Sequence, residues 1–247
     1  PNGVLIVNKP QGITSHDVVG KIRKLYGTRK VGHTGTLDPM ATGVLVVILG
    51  GATRFIDFLN THDKAYEATL RLGVTTDTLD IEGEVLSQTE TNFTTAEFES
   101  AMLSFLGETE QVPPMYSAIK KDGKKLYELA REGIEIERES RKINIYSLEL
   151  TGADESKQEF SFRVSCSAGT YVRSLSSDIG EKLGCGAVLT SLRRVEAHGV
   201  DISQCKTLEE LSEGDVVALD TLLNYPSVTV TAAQAQRFSN GGVLDRN

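Results

Sequence analysis

Cysteine is scarce in this chain, and the three cysteines present do not form a framework. Cys166, Cys185 and Cys205 are odd in number, and no two of them make a Cys-x-x-Cys pair. Such a set predicts neither a disulfide-stapled domain nor a zinc site. We therefore expect free thiols, which are typical of a reducing cytoplasm, and no bound metal.

Long hydrophobic runs are also absent from the sequence. The longest, Gly43 to Leu49, is far shorter than the roughly 20 residues of a membrane-spanning helix, so no membrane association is predicted. The chain has 247 residues, of which 39% are hydrophobic. That is enough for one sizeable core, or for one large domain with an appendage.

Positive charge is missing from one long stretch, because no Lys or Arg lies between Arg71 and Lys120. The formal net charge of the chain is −8, which by itself argues against a polyanionic partner. The acidic residues of this stretch are Asp77, Asp80, Glu82, Glu84, Glu90, Glu97, Glu99, Glu108 and Glu110.

The basic residues are concentrated elsewhere, in two short stretches. An acidic protein can still present a cationic groove, because attraction to phosphates is local and is screened within about 10 Å. The two stretches therefore predict either a nucleic-acid surface or ordinary solvated helix faces. Their members are Lys21, Arg23, Lys24, Arg29, Lys30, Lys120, Lys121, Lys124, Lys125 and Arg131.

Common cofactor and catalytic motifs are absent as well. The chain has no G-x-G-x-x-G, H-E-x-x-H or G-x-S-x-G. Residues Gly27 to Thr34 nearly match a phosphate-binding P-loop, but His33 stands where the lysine counter-ion is required. The four histidines have no spacing that suggests a metal site.

The hydrophobic patterns predict an α+β fold with a mixed sheet, because strands and helices alternate without regular βαβ spacing. Strands are expected at 3–8, 44–49, 64–73, 143–151, 159–166 and 187–195. Helices are expected from Thr14 or Ser15 to Gly27, and at 52–60, 94–107, 170–183 and 231–238. Residues 111–142 are rich in Lys and Arg and weakly periodic, which favours an exposed insertion.

The segment from Gly32 to Gly43 is the most informative part of the sequence for chemistry. It places glycines, threonines, His33 and Asp38-Pro39 between a helix and a buried strand. Glycines allow close approach of a ligand, and the proline biases Asp38 toward an extended conformation at a loop tip. A single oriented carboxylate suits a nucleophile or general base. An ordinary Asp-Pro turn is the alternative.

Arg173 is in conflict with its local context. It follows Gly169-Thr170-Tyr171 at the predicted start of a helix, where the macrodipole disfavours a cation. This conflict suggests a carboxylate partner from elsewhere in the chain. Tyr66 lies on the apolar face of its predicted strand, where a core tyrosine is the usual explanation.

Several motifs, in order along the chain, resemble those of one enzyme family. Gly32 to Leu45, with the sequence GHTGTLDPMATGVL, closely resembles the signature of the TruB family, the bacterial tRNA pseudouridine-55 synthases. The resemblance spans nearly everything from Val4 to Arg194. Further stretches that resemble family motifs are Lys9 to Gly12, Lys64 to Tyr66, Pro114 to Tyr127, Cys166 to Arg173 and Leu192 to Arg194.

The resemblance implies both a fold and a reaction. The fold is α+β, with a mixed, largely antiparallel sheet of the pseudouridine synthase type, flanking helices and an RNA-binding insertion. The reaction breaks the bond from uracil N1 to ribose C1′, turns the base and rejoins it through C5. It is redox-neutral, so no cofactor is expected. It needs a nucleophilic carboxylate, removal of the C5 proton and a pocket that retains the detached base.

The resemblance also implies roles for individual residues. Asp38 would be the catalytic carboxylate, with attack at C1′, attack at C6 and a glycal route all open. Arg173 would be its ion-pair partner, and Tyr66 would pack on the uracil and handle its C5 proton. His33 would take the space that the flipped nucleotides leave. The substrate-binding residues implied in this way are His33, Tyr66, Tyr171, Arg173 and Leu192.

The implied partner is the T stem-loop of tRNA, bound by a monomer. The insertion at about 111–142 would grip this RNA, within a catalytic domain of residues 1–225. Residues 226–247 would be the start of an incomplete C-terminal RNA-binding module. The lysines implied to contact RNA are Lys9, Lys120, Lys121, Lys124 and Lys125.

Three other functions are compatible with parts of the sequence. A non-catalytic chaperone that refolds tRNA would be indifferent to Asp38, although chaperone and enzyme activities can coexist. A family member that modifies ribosomal RNA within a guide complex is disfavoured by the bacterial-type insertion at Pro114 to Tyr127. An acidic scaffold without a ligand would leave the glycine-rich loop unexplained.

Overall fold

The computed structural model describes residues 1–59, 63–121, 123–223, 225–226 and 228–243, apart from the side chains of residues 120 and 121. Its strands are β1 Gly3–Lys9, β2 Val31–Thr34, β3 Thr42–Leu49, β4 Lys64–Leu72, β5 Val74–Thr76, β6 Val85–Gln88, β7 Gly107–Gln111, β8 Lys120–Lys121, β9 Lys124–Lys125, β10 Arg141–Asp154, β11 Glu159–Cys166, β12 Ala187–Ala197 and β13 Val200–Asp201. Its helices are α1 Ser15–Leu25, α2 Ile56–Leu59, α3 Thr95–Leu103, α4 Leu126–Arg131, α5 Val172–Lys182 and α6 Ala232–Ser239.

One nine-stranded sheet organises the described residues. Its strand order is β1-β3-β12-β4-β11-β10-β7, with β2 added beside β3 and β13 beside β12. Every pairing in this sheet is antiparallel except the short parallel contact of β12 with β3. The α+β class with a mixed, largely antiparallel sheet is therefore confirmed.

The core lies on both faces of the sheet around β3. Residues 43–49 of this strand are all buried, as their continuous apolar run predicts for a strand covered on both sides. On one face α1, α3 and α5 cover the sheet, and the rings of Phe98 and Phe160 stack at a centroid distance of 4.2 Å. A smaller cluster that includes Val4, Val46 and Ile48 occupies the other face.

Helix α1 begins where its capping residues predict. The Thr14 hydroxyl accepts from the backbone N–H of Asp17 at 3.0 Å, and the Asp17 carboxylate accepts from the Thr14 N–H at 2.8 Å. This reciprocal pair satisfies two amide donors that the first helical turn otherwise leaves free. After the helix, Gly27 adopts a φ of 60°, so the chain turns directly toward β2.

Several elements differ from the sequence-based expectation. Residues 31–34 form β2, because β3 supplies pairing that the glycine-rich composition does not reveal. Residues 50–55 form a 3₁₀ helix and only Ile56–Leu59 is α-helical, while Asn60 lies outside the described residues. Helix α3 ends at Leu103 rather than Gly107, since Gly107 begins β7.

The predicted insertion is more structured than its composition indicates. Between β7 and β10 it contains β8, β9 and α4, and it has a small core of its own formed by Met115, Leu126 and Leu129. No helix among the described residues is long and apolar enough to cross a bilayer.

Candidate active site

The loop between β2 and β3 carries Asp38 and is fixed from three sides. From α1, the Ser15 hydroxyl accepts from the Leu37 N–H at 2.9 Å and donates to the Leu37 carbonyl at 3.1 Å. From the turn after β1, the Gly12 N–H donates to the Pro39 carbonyl at 2.8 Å. From β12, the Arg194 guanidinium donates to the Gly35 carbonyl at 2.9 Å. The carboxylate is therefore held on a braced backbone.

Lys9, which was expected to contact RNA, is buried and braces the same loop. Its side chain is 0% exposed, and its ammonium donates to the carbonyls of Ile13 at 2.5 Å, Pro10 at 2.9 Å and Pro39 at 3.3 Å. In the structure the Lys9 ammonium is therefore occupied by backbone carbonyls, and its expected contact with RNA stays a prediction. Burial also lowers the pKa of Lys9 to about 8, because it disfavours the charged form.

Arg173 and Asp38 form an ion pair at the centre of the site. Arg173 Nε lies 2.8 Å from Asp38 Oδ2, and a terminal guanidinium nitrogen donates to Asp38 Oδ1 at 3.2 Å. The fork thus holds both carboxylate oxygens. The other donors reach the carbonyls of Thr78 at 2.9 Å and Tyr116 at 2.7 Å. Arg173 lies in the first turn of α5, so Asp38 supplies the negative charge that this helix start lacks.

A second carboxylate, Asp80, backs Arg173, and the sequence analysis did not assign it a role. Asp80 is 5% exposed and its Oδ2 lies 3.9 Å from Arg173 Nε. The Thr78 hydroxyl and the Glu82 N–H donate to Asp80 Oδ1 at 2.8 and 3.0 Å, which fixes its orientation. In the sequence, nothing distinguishes Asp80 from the other acidic residues of its stretch.

The charge state of Asp38 reflects two opposing effects. Burial raises the pKa of this carboxyl above its ordinary value, because the ionised form loses solvation. The adjacent Arg173 guanidinium lowers the pKa again by charge and by hydrogen bonding, whereas the nearby Asp80 carboxylate raises it. Asp38 is therefore a half-buried carboxylate with one strong cationic partner.

Asp38 stands between a small inner pocket and a large outer groove. The inner pocket has a volume of about 60 Å³, and the groove, of about 610 Å³, opens in front of it. Thr36, Asp38 and Arg173 line both spaces. The inner pocket is completed by Leu37, Tyr66, Thr170, Tyr171, Val172 and Leu192.

The sequence-predicted substrate-binding residues divide between these two spaces. Tyr66, Tyr171 and Leu192 line the inner pocket around Asp38, whereas His33 lines the groove with His16. Burial lowers the pKa of His33, and burial raises the phenol pKa of Tyr171. The structure thus brings together residues from five separate segments of the chain.

Tyr171 is held in place by an amide that the sequence did not single out. Its backbone N–H donates to Gln111 Oε1 at 2.8 Å, and Gln111 Nε2 donates back to the Tyr171 carbonyl at 3.0 Å. Gln111 ends β7 and is buried, so it joins the insertion's base to the start of α5.

Tyr66 lies beside Arg194 at the back of the inner pocket. The two residues are direct partners across β4 and β12, which places their side chains on the same face of the sheet. Burial raises the phenol pKa of Tyr66, while the charge of Arg194 and a hydrogen bond from it oppose that rise. The sequence analysis quoted Arg194 within a motif but assigned it no role.

The insertion contributes basic residues to the wall of the groove. Lys125, Tyr127 and Arg131 line it, with Lys125 Nζ 5.3 Å and the Arg131 guanidinium 5.4 Å from the centre of the Tyr127 ring. Lys124 is exposed on the surface nearby. The side chains of Lys120 and Lys121 lie outside the described residues. Among the described residues, no group of three or more His, Cys, Asp or Glu side chains could hold a metal ion.

Two family models together match most of the chain. A model described as TruB family pseudouridylate synthase (N terminal domain) matches residues 23–172, more than half of the chain. A second, described as tRNA pseudouridylate synthase B C-terminal domain, matches residues 173–224.

The chain belongs to the TruB family. It is therefore an isomerase of the pseudouridine synthase class, in which Asp38, Arg173 and the inner pocket form the candidate active site.

Relatives within the TruB family are similar over almost the whole chain. The tRNA pseudouridine synthase B of Syntrophotalea carbinolica is 47% identical over 249 residues, which cover 97% of this chain and 81% of that protein. The enzyme of the same name from Clostridium kluyveri is 46% identical over 245 residues, which cover 97% of this chain and 84% of the relative.

Solved structures of TruB-like proteins share the fold. The crystal structure of a Cbf5-Nop10-Gar1 complex contains a chain that is 33% identical, with a TM-score of 0.67, covering 85% of this chain and 53% of that chain. A structure of an H/ACA RNP bound to a substrate RNA matches at 30% identity with a TM-score of 0.63, covering 85% of this chain and 52% of that chain.

Proposed function

We propose that this protein isomerises the uridine at position 55, in the T loop of tRNA, to pseudouridine, with Asp38 as the nucleophile and without a cofactor. The observation that carries the proposal is the position of Asp38. Its carboxylate lines both a groove of about 610 Å³ and a smaller pocket of about 60 Å³, and the Arg173 guanidinium binds it. The choice of tRNA is supported by relatives named tRNA pseudouridine synthase B.

Base flipping brings the uridine to Asp38. Taking a stacked base out of a folded loop costs a few kcal/mol. Stacking on aromatic side chains is worth roughly 1–3 kcal/mol per base, which offsets much of that cost. Tyr66 and Tyr171 provide such surfaces in the inner pocket, and Leu192 adds an apolar wall. His33, on the groove side, takes the space that the flipped nucleotides leave.

The chemistry then requires two functions from the pocket. An ionised Asp38 acts as nucleophile while the bond from N1 to C1′ breaks, and Arg173 keeps the carboxylate ionised and oriented. The bond between Asp38 and the substrate breaks again as the product forms, and its electron pair returns to the carboxylate. After C5 has bonded to C1′, a base removes the C5 proton. The electron pair of the C5–H bond then restores the C5–C6 double bond, and N1 gains a proton. Tyr66, the phenol of the inner pocket beside the uracil, is the residue that handles the C5 proton.

The RNA-binding surface is the groove and the insertion that borders it. Lys124 and Lys125 contribute positive charge there, and Lys120 and Lys121 belong to the same segment. Residues 226–247 belong to an RNA-binding module that follows the catalytic domain of residues 1–225.

The cysteines, free in the structure, suit a protein that acts as a monomer in the cytoplasm.

The test is incubation with unmodified tRNA transcripts, followed by mapping of pseudouridine along the RNA. The wild-type protein should modify position 55 without any guide RNA or partner protein, and a transcript with cytidine at that position should remain unmodified. Asp38→Asn should abolish the reaction and leave tRNA binding intact, because it preserves shape and removes the charge. Asp220→Asn, at an exposed site, is the matched control.

Three outcomes would contradict the proposal. Turnover by a clean preparation of Asp38→Asn would remove Asp38 from the chemistry. Modification only after a guide RNA is added would indicate a guide-directed enzyme instead. Refolding of tRNA by a protein that never isomerises it would indicate a chaperone as the sole function. Refolding by Asp38→Asn alongside wild-type isomerisation would show that both activities coexist.

A further inference from the structure

Arg194 is a buried cation that the proposed chemistry does not use. It is 1% exposed, and its Nε donates to the Val44 carbonyl at 2.7 Å while a terminal nitrogen donates to the Gly35 carbonyl at 2.9 Å. In the part of the chain that the structure describes, no carboxylate forms an ion pair with it. A buried charge without a counter-ion is costly, so a purely structural role leaves the choice of arginine unexplained.

The charge of Arg194 is directed toward the inner pocket. Its direct cross-strand partner on β4 is Tyr66, so the two side chains lie on the same face of the sheet, and the charge of Arg194 lowers the phenol pKa that burial raises. Gly35 lies between the side chains of Arg194 and Lys64. A Cβ atom built on Gly35 would lie 3.4 Å from the Arg194 guanidinium and 3.3 Å from Cε of Lys64. The wall behind Tyr66 therefore carries the charge of Arg194.

The other groups that face Tyr66 do not compensate this charge. The Cys166 thiol of β11 is neutral, because burial raises its pKa to about 11. Asp38 lies in the loop across the pocket and is already paired with Arg173. Tyr171, on the same wall of the pocket as Arg173, is a neutral phenol. Within the inner pocket, the charge of Arg194 therefore acts on the Tyr66 oxygen.

We propose that Arg194 is a positioning residue of this active site, whose guanidinium, anchored on the Gly35 and Val44 carbonyls, orients the Tyr66 hydroxyl toward the uracil and stabilises negative charge on its oxygen. This inference rests on the proposed function, in which Tyr66 handles the C5 proton. A phenol oxygen can accept that proton more readily when an adjacent cation favours its ionised form. Arg194 also couples the Asp38 loop to Tyr66, because it bonds to the Gly35 carbonyl of that loop and is the cross-strand partner of Tyr66.

The first test needs no RNA. Tyr66 is replaced by a trifluorotyrosine, whose phenol ionises nearer neutral pH, and its pKa is followed by fluorine NMR in the full chain. Arg194→Gln keeps hydrogen-bond donors but removes the charge, so the phenol pKa should rise by about 1 to 3. Arg194→Lys should leave it nearly unchanged. Arg193→Gln is the matched control, because this neighbour is 47% exposed on the other face of β12 and pairs with Glu67.

The second test asks whether Arg194 acts through Tyr66. Single-turnover rates on tRNA are measured for Arg194→Gln, Tyr66→Phe and the double variant, a double-mutant cycle. Arg194→Gln should slow the wild-type enzyme on the order of a hundredfold without changing RNA affinity. In the Tyr66→Phe background, Arg194→Gln should lower the rate little further, because the phenol oxygen on which Arg194 acts has been removed.

Each failure has a distinct meaning. A phenol pKa that does not move in Arg194→Gln, or a rate loss of equal size in both backgrounds, overturns the role of Arg194. Arg194→Met replaces Arg194→Gln in both tests if the latter does not fold. A wild-type protein that isomerises no RNA contradicts the proposed function, while the fluorine titration still decides whether Arg194 controls the Tyr66 oxygen.

Discussion

The Asp38 carboxylate and the Arg173 guanidinium meet at 2.8 Å although 135 positions separate them in the chain. Asp38 comes from the loop between β2 and β3, and Arg173 comes from the first turn of α5. Each residue resolves a problem of the other. The carboxylate offsets the unfavourable position of a cation at a helix start, and the guanidinium lowers the pKa that burial raises at this half-buried carboxyl.

Arg173→Lys should lower the isomerisation rate on the order of a hundredfold, because an ammonium cannot hold both carboxylate oxygens and a small misplacement of a reacting group is costly. Arg173→Ala should be slower still at neutral pH. Without the guanidinium the pKa of Asp38 rises, so the activity of Arg173→Ala should recover partly as the pH increases. Single-turnover rates across pH measure this, with the exposed Arg163→Lys as control. Equal isomerisation rates for Arg173→Lys and the wild type would show that the two-point contact of Arg173 with Asp38 does not affect the reaction.

Asp80→Asn should move the acidic limb of the pH–rate profile to lower pH. The Asp80 carboxylate raises the pKa of Asp38, so its neutralisation lets Asp38 ionise more easily. The shift should be less than about 1 pH unit, because Asp80 acts across Arg173 rather than by direct contact. Asp77→Asn, in the same acidic stretch, is the control and should leave the profile unchanged. A shift of the limb to higher pH in Asp80→Asn would contradict the electrostatic account.

Lys124→Ala combined with Lys125→Ala should weaken tRNA binding and make it less sensitive to salt. Each phosphate contact that is lost should reduce the slope of log affinity against log salt by about 0.7–0.9. The control is Lys157→Ala at the turn between β10 and β11, which is 68% exposed and pairs with Asp154. An unchanged slope in the double variant would mean that the two lysines are only a solvated surface.

Comparison of the wild type with Lys9→Met should reveal a contribution of Lys9 to the free energy of unfolding that depends on pH. The pKa of Lys9 falls from 10.5 to about 8 on folding, so the unfolded chain binds more protons between these values. The free energy of unfolding of the wild type should therefore rise, relative to Lys9→Met, as the pH increases from about 8 toward 10.5. Urea unfolding of both proteins across this range measures the difference. A difference that stays constant with pH would show that folding does not perturb Lys9.

Local signals in the sequence were sufficient for most of the secondary structure. The capping box at Thr14 and Asp17, the apolar run of β3 and the alternation of β4 each depend on neighbours in the chain, and each predicted its element. Strand β2 was not predicted, because its composition is that of a loop. Its pairing partner, β3, supplies the hydrogen bonds that make it a strand.

The sequence by itself determined the family, the α+β class and the identity of Asp38 as the central carboxylate, because these depend on contiguous motifs and on periodicity. The conflict at Arg173 was also readable, since a cation at a helix start is a local feature. Only the tertiary structure decided which polar groups surround that pair. Asp80 became a partner of Arg173, Lys9 became a buried brace and Arg194 came to face Tyr66. Burial and cross-strand register set these contacts, and both arise from the packing of segments that are distant in the chain.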